Sequence, residues 1–165
     1  MFNNFVMRSR KARPDEFDSI YLMGLDVWNE GKDREAYLEG CRRSKKYQEG
    51  AWYVLENQEG VLVSSLIRYC LSEGVYGIGS IATPPSFRKK GYASKLIADV
   101  LKEFESEGVE RVFLFSDIEP AFYQKFEFEA LSSRYQHSAG SVCMVRGVSV
   151  EELERDPQFQ PPVYF

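Results

Sequence analysis

The chain has 165 residues, 44% of them apolar and 15% aromatic, enough for one domain with a buried core and too many for a disordered polymer. Its 21 Lys and Arg against 25 Asp and Glu leave a formal charge of −4, which excludes a broad polyanion-binding surface and so nucleic acid as a partner. Three widely spaced cysteines (Cys41, Cys70, Cys143) in no paired motif are the usage of a reducing, cytoplasmic setting, and the best apolar run, Val61–Leu71, is too short and too interrupted by Arg68 to cross a membrane.

In chain order, Phe5–Arg10 reads as a first strand, and Pro14 with Asp15 and Glu16 makes a helix start whose acidic residues lie at the positive end. Phe17, Ile20, Tyr21, Leu25 and Trp28 follow at helical spacing, and a second, more polar helix is predicted from Asp33 to Tyr47. Three strands come next, Ala51–Glu56, Val61–Leu71 and Val75–Thr83, with breaks at Gln58-Glu59-Gly60 and Ser72-Glu73-Gly74 short enough for antiparallel hairpins. Pro84-Pro85 stops the third strand, because proline cannot donate to a ladder.

After the basic turn Arg88-Lys-Lys-Gly91, the positions Ala93, Leu96, Ile97, Val100, Leu101 and Phe104 form one apolar stripe of a long helix that Gly108 ends. Val109–Phe115 reads as a strand buried on both faces and Pro120–Phe126 as a short helix. Arg134–Gln136 and Val142–Arg146 read as closing strands, and Asp156–Phe165 as an extended, proline-rich tail. The order is β-α-α-β-β-β-α-β-α-β-β: an α/β (α+β) chain with a mixed sheet and helices packed on it, taken as a single domain over residues 1–165. Cys70 and Cys143 are assigned to the core, and with one histidine the cysteines supply no metal site.

The strand–turn–helix at Ser80–Lys95 is the arrangement that grips a pyrophosphate, because the first amides of a helix lack internal acceptors and the dipole favours an anion there. Gly91 leaves room for the backbone to approach such a ligand. Within this stretch stands Arg88-Lys-Lys-Gly91-Tyr-Ala93, preceded by Pro85, and about 30 residues on stands Tyr123-Gln-Lys125-Phe-Glu-Phe128. The pair resembles the two signatures of the GNAT superfamily of acetyl-coenzyme A-dependent N-acetyltransferases, Gln/Arg-x-x-Gly-x-Gly/Ala and Tyr-x-Lys-x-Gly-Phe. The departure is Glu127, where the family carries glycine.

The resemblance implies a mainly antiparallel twisted sheet with helices on both faces, and acetyl transfer from acetyl-coenzyme A to a primary amine, small or on a protein, by direct attack in a ternary complex. It implies that the amides of Arg88, Lys89, Lys90, Gly91, Tyr92, Ala93 and Ser94 wrap the pyrophosphate and that Ile81, Ala82 and Thr83 pair with the pantetheine arm. Ser116 takes the place of an asparagine that touches that arm, and Tyr123 is the general acid for the departing thiolate. A soluble protein, with homodimerisation allowed, is the expected setting. The alternative is a non-catalytic acyl-coenzyme A-binding sensor.

The general base is left open among Glu73, Asp117 and His137, since Gly77–Ala82 offers no carboxylate. Gly77 and Gly79 read either as a bulge or close backbone approach, or as a weakened edge strand. Trp28, Tyr37, Tyr47 and Trp52 read either as the wall of an acceptor cleft or as core. Glu30, Asp33, Glu35 and Glu39 read either as an attractant for a cationic amine or as a solvated helix face.

Overall fold

The three central strands form within one residue of their expected limits, because each is a β-branched or aromatic run closed by a turn. The computed structural model describes residues 7–165. Its strands are β1 (Arg8–Lys11), β2 (Ala51–Glu56), β3 (Leu62–Ser72), β4 (Val75–Ala82), β5 (Arg111–Ser116), β6 (Glu129–Ala130) and β7 (Val142–Arg146). The helices are α1 (Phe17–Leu22), α2 (Leu25–Trp28), α3 (Arg34–Arg43), α4 (Lys45–Glu49), α5 (Tyr92–Ser106), α6 (Ala121–Gln124) and α7 (Val150–Arg155). Phe5 and Val6, expected to begin the first strand, lie outside the described residues. Among the described residues the strands make one seven-stranded sheet in the order β1-β2-β3-β4-β5-β7-β6, and the β4–β5 ladder is parallel.

Contacts gather the chain into two compact units, the first comprising the described residues to Arg68 with Ser80–Glu103, the second Tyr69–Gly79 with Phe104–Phe165. In the first unit β1 pairs antiparallel with β2 and β2 with β3. Val54, Leu55, Val63, Leu66 and Ile67 are fully buried, as are Leu96, Ile97 and Val100 of the α5 stripe. Ser9 Oγ donates to Asp99 at 2.6 Å and Tyr53 Oη to Glu103 at 3.4 Å, tying α5 to β1 and β2. An ion network closes the entry to α1: Arg10 donates to Glu16 at 2.8 and 2.7 Å, and Glu16 also caps the Arg13 amide at 2.8 Å. These bonds hold the Glu16 carboxyl down at about 2.

In the second unit β5 pairs antiparallel with β7, and β6 with β7. Tyr76 of β4 packs against Phe104 of α5 with centroids 5.0 Å apart and rings tilted at 45°, while its neighbour Val75 packs into a cluster with Val150 and Leu153 of α7. Successive strand residues face opposite ways, so Phe104 and α7 lie on opposite faces of this sheet.

Four elements differ from the sequence reading. The helix expected through Trp28 breaks at Gly24, where a Cβ would lie 2.1 Å from the Trp28 ring that folds back over it. The Asp33–Tyr47 helix divides at Ser44, whose backbone turns extended (ψ 117°) while its Oγ caps the Tyr47 amide. Arg134–Gln136 is not a strand; Ser133–Tyr135 is a 3-10 turn, and the Gln136 side chain takes the ladder's place. Its Nε2 donates to the Leu131 and Cys143 carbonyls and its Oε1 accepts the Cys143 amide. The partner of β7 is instead β6.

The fourth difference is α7, capped by Ser149 Oγ accepting from the Glu152 amide at 3.1 Å, which precedes a tail that docks. Phe159 of that tail is buried and stacks on Phe113. Cys41 and Cys143 are buried as expected, but Cys70 is exposed near the outer end of β3, with its Sγ directed to the Ser72 carbonyl.

Candidate functional site

Ile81 and Ala82 end β4 in the first unit, and Thr83 follows them. The strand is distorted just before them: Ser80 has φ +45°, one of four left-handed non-glycine residues among those described. Gly77 serves the close approach expected of it, since a Cβ there would lie 2.4 Å from the Phe165 ring. Ser64 Oγ donates to the Ala82 carbonyl at 2.9 Å and lies 3.1 Å from Thr83 Oγ1, fixing the strand's end.

The turn that follows is closed by its own arginine. Pro85–Phe87 is a 3-10 turn, and Arg88 Nε reaches back to the Thr83 carbonyl at 2.8 Å. Both terminal nitrogens of Arg88 donate to Asp26 at 2.7 Å, a bidentate pair that holds the Asp26 carboxyl below its ordinary range. The Arg88 charge is therefore engaged within the turn, and Lys89 and Lys90 stand exposed beside it.

Lys89 has φ +63° and Gly91 φ +81°, two left-handed residues at alternate positions. Left-handed residues in such a turn are the backbone feature from which anion-binding concavities are built. A Cβ on Gly91 would meet nothing within 4 Å, so the backbone angle, and not crowding within the protein, calls for glycine. In α5 the Lys95 amide bonds back to the Gly91 carbonyl at 3.0 Å. The amides of Gly91, Tyr92 and Ala93 precede that first hydrogen-bonded turn, at the positive end of a 15-residue helix.

Ser116 and Tyr123 belong to the second unit. Ser116 ends β5, is 2% exposed, and donates from Oγ to the Ile118 carbonyl at 2.8 Å. Tyr123 lies on α6, which Pro120 opens: the Tyr123 amide bonds to the Pro120 carbonyl, and the ring packs edge-on against Phe122 and Phe128. It is 6% exposed, and burial, with a smaller contribution from Asp117, pushes its phenol up to about 12. At neutral pH it is a protonated donor.

The departure at 127 has a structural counterpart: Glu127 has φ +67°, the left-handed conformation that glycine adopts without strain. The turn it occupies is nonetheless complete, with the Glu127 amide on the Gln124 carbonyl at 2.9 Å and the Phe128 amide on the Tyr123 carbonyl at 3.3 Å.

Of the four aromatic residues weighed as an acceptor wall, Tyr37, Tyr47 and Trp52 gather around Tyr21. Tyr21 and Tyr47 stack at 5.7 Å, Trp52 meets both edge-on, and Tyr37 Oη donates to the Tyr21 carbonyl at 2.9 Å. Tyr37 and Trp52 are buried core; Tyr47 is half-buried and accepts from Ser80 Oγ at 3.3 Å. Trp28 stands apart over Gly24. Asp33 caps α3 and Glu39 pairs with Arg42 and Arg43, so both serve the helix itself. Glu73, Asp117 and His137 are all exposed, His137 on a loop and not on a strand. The sequence reading missed the tail, whose Phe165 lies against β4; the only local signal was the aromatic pair Tyr164-Phe165 after two prolines.

The model of the family described as "Acetyltransferase (GNAT) domain" matches residues 8–131. No curated protein matches the chain. Among solved structures, a GNAT family acetyltransferase from Brucella melitensis in complex with acetyl-CoA is similar at 18% identity and a TM-score of 0.64, over 98% of this chain and 97% of that one. A GNAT family N-acetyltransferase from Escherichia coli in complex with CoA is similar at 16% identity and a TM-score of 0.65, over 88% and 83%. N-acetylglutamate synthase from Neisseria gonorrhoeae, complexed with coenzyme A and N-acetyl-glutamate, is similar at 19% identity and 0.65, over 87% of this chain and 35% of that one. At these identities the likeness is one of fold.

Proposed function

Because this chain belongs to the GNAT acetyltransferase family, we propose that it moves an acetyl group from acetyl-coenzyme A to a primary amine by direct attack in a ternary complex. The observation that carries the reading is the turn at Arg88–Gly91, with left-handed Lys89 and Gly91 ahead of the α5 N-terminus. It offers the pyrophosphate the amides from Lys89 to Ser94, the helix dipole, and the ammonium groups of Lys89 and Lys90. Arg88, held by Asp26 and the Thr83 carbonyl, shapes the turn and does not supply its free charge.

In this reading Ile81–Thr83 hydrogen-bond the pantetheine arm, and one of their amides polarises the thioester carbonyl. The amine nitrogen attacks the carbonyl carbon, the C–S bond breaks, Tyr123 gives its phenolic proton to the departing thiolate, and the proton the nitrogen sheds passes to water, from which the phenolate is reprotonated. A phenol raised to about 12 keeps that proton at neutral pH until the thiolate forms. Ser116 already donates to Ile118, so toward the arm it serves as an acceptor. The amine must be neutral to attack, so turnover rises with pH toward the amine's own pKa. The test is release of free coenzyme A thiol with a panel of primary amines. Unaltered chain should turn over, and Tyr123→Phe should bind acetyl-coenzyme A equally while losing most turnover. Binding without turnover across the panel would favour the sensor reading instead.

A further inference from the structure

The Phe165 ring lies in a slot of the second unit built for a ring. Its floor is β4, where a Cβ on Gly77 would sit 2.4 Å from the ring, and one on Gly79 3.9 Å away, an ordinary contact. Its walls are Tyr69 and Phe115, whose centroids lie 5.4 and 5.1 Å from that of Phe165, the latter at 80°. Only glycine at position 77 leaves this space, and the two aromatic walls, Tyr69 tilted at 59° and Phe115 edge-on, favour a planar, uncharged ring.

The present occupant packs against the main cluster of this unit from its edge, less buried than Phe159. Phe159 is 9% exposed inside the main cluster of this unit and stacks on Phe113. Beyond Pro161 and Pro162, Val163 is 88% exposed and Tyr164 59%, and Phe165 itself is only partly buried. The floor of the slot is also the strand that carries the proposed acyl-arm residues. Gly79 precedes Ile81 by two positions, at most about 7 Å of chain, within the reach of a ring on a short alkyl tether.

We propose that the slot bounded by Tyr69, Gly77, Gly79 and Phe115 binds an aromatic ring carried by the acceptor amine, and that Phe165 fills it when no acceptor is present. The slot's relevance to transfer rests on the acetyltransferase reading above; ring binding does not. An acceptor of the arylalkylamine kind displaces Phe165, whose tail swings away about the two prolines.

The test uses phenethylamine as probe and pentylamine, of the same charge without the ring, as control. The amide signals of Gly77 and Gly79 are followed by NMR in the full chain and in Phe165→Ala, and that of Gly79 in Phe165→Ala with Gly77→Ala. Phenethylamine should shift both signals in Phe165→Ala at a concentration at least tenfold lower than in the unaltered chain. Pentylamine should shift neither, and adding Gly77→Ala should abolish the response by filling the slot. Equal responses to the two amines, no response in Phe165→Ala, or loss of the fold in that variant would each overturn the proposal, the last because the ring would then be a structural pillar. Failure of acetyl-coenzyme A to bind would overturn the acetyltransferase reading alone and leave ring binding standing.

Discussion

Glu127 stands where the second signature carries glycine, and the consequence can be worked out from its surroundings. Its φ of +67° costs a residue with a Cβ about 1–2 kcal/mol. Its side chain recovers little: it is 81% exposed and meets Arg146 at 3.3 Å, and a pair so exposed contributes about 0–0.5 kcal/mol. Arg146 keeps its bonds to the Phe126 carbonyl and to Glu105 without it. Glu127→Gly therefore relieves the strain, loses the weak pair, and adds about 0.4–1 kcal/mol of unfolded-chain entropy. The net is a stabilisation of about 0.5 kcal/mol. Glu127→Ala keeps the strain and loses the pair, so it should be slightly less stable than the unaltered chain. The informative quantity is the gap between the two variants, with glycine ahead of alanine by about 1 kcal/mol, or roughly 2–4 °C in Tm for a chain of this size. Urea unfolding of the three proteins at one pH measures it. Alanine as stable as glycine would show that the turn is not strained and that the departure has no backbone meaning.

Glu16 supplies a pH test. Its carboxyl is held at about 2 in the folded chain, first by its bonds to Arg10, against an ordinary value of 4.5. The stability it contributes is thus present above pH 4.5 and lost as pH falls from there toward 2. The unaltered chain should lose on the order of 2 kcal/mol more than Glu16→Gln between pH 5 and pH 2, read from unfolding at each pH; parallel curves would contradict the account. Gly147→Ala should cost about 3 kcal/mol or more, because φ is +100° and the new Cβ would meet the Glu110 carbonyl oxygen at 2.1 Å; retention of the parent Tm would refute it. Gly91→Ala should cost about 1 kcal/mol of stability from its φ of +81° and weaken acetyl-coenzyme A about tenfold by calorimetry; unchanged affinity would place the phosphates elsewhere.

The parts of the molecule legible in the sequence are those set by local periodicity and punctuation. The α5 stripe from Ala93 to Phe104 and the strands between Ala51 and Thr83 needed only their spacing, and the two signatures named the candidate residues from sequence alone. What escaped depends on contacts distant in sequence or made by single side chains. Arg88 reads as a free cation until Asp26, 62 residues earlier, is brought beside it. Gln136 sits in a segment that reads as strand, yet its side-chain amide substitutes for the backbone ladder and lets the chain turn. Cys70 reads as core because cysteine usually is, but it lies at the outer end of an 11-residue strand longer than the core it crosses. The break at Gly24 required knowing that Trp28 folds back over it. Helix α7 was available locally, since Ser149-Val-Glu-Glu152 is a capping pattern ahead of Leu153. The docking of Phe165 was not, because only Gly77, 88 positions earlier, reveals the seat.

The central claim is that the turn from Arg88 to Ser94 binds the pyrophosphate of acetyl-coenzyme A. Calorimetric titration of the full chain with acetyl-coenzyme A, repeated with Lys89→Ala, Lys90→Ala together, tests it most directly. The account predicts one site per chain whose affinity falls at least fivefold in the double variant, with the fold unchanged because both side chains are exposed. Absence of binding to the unaltered chain, or equal affinity in the double variant, would contradict it.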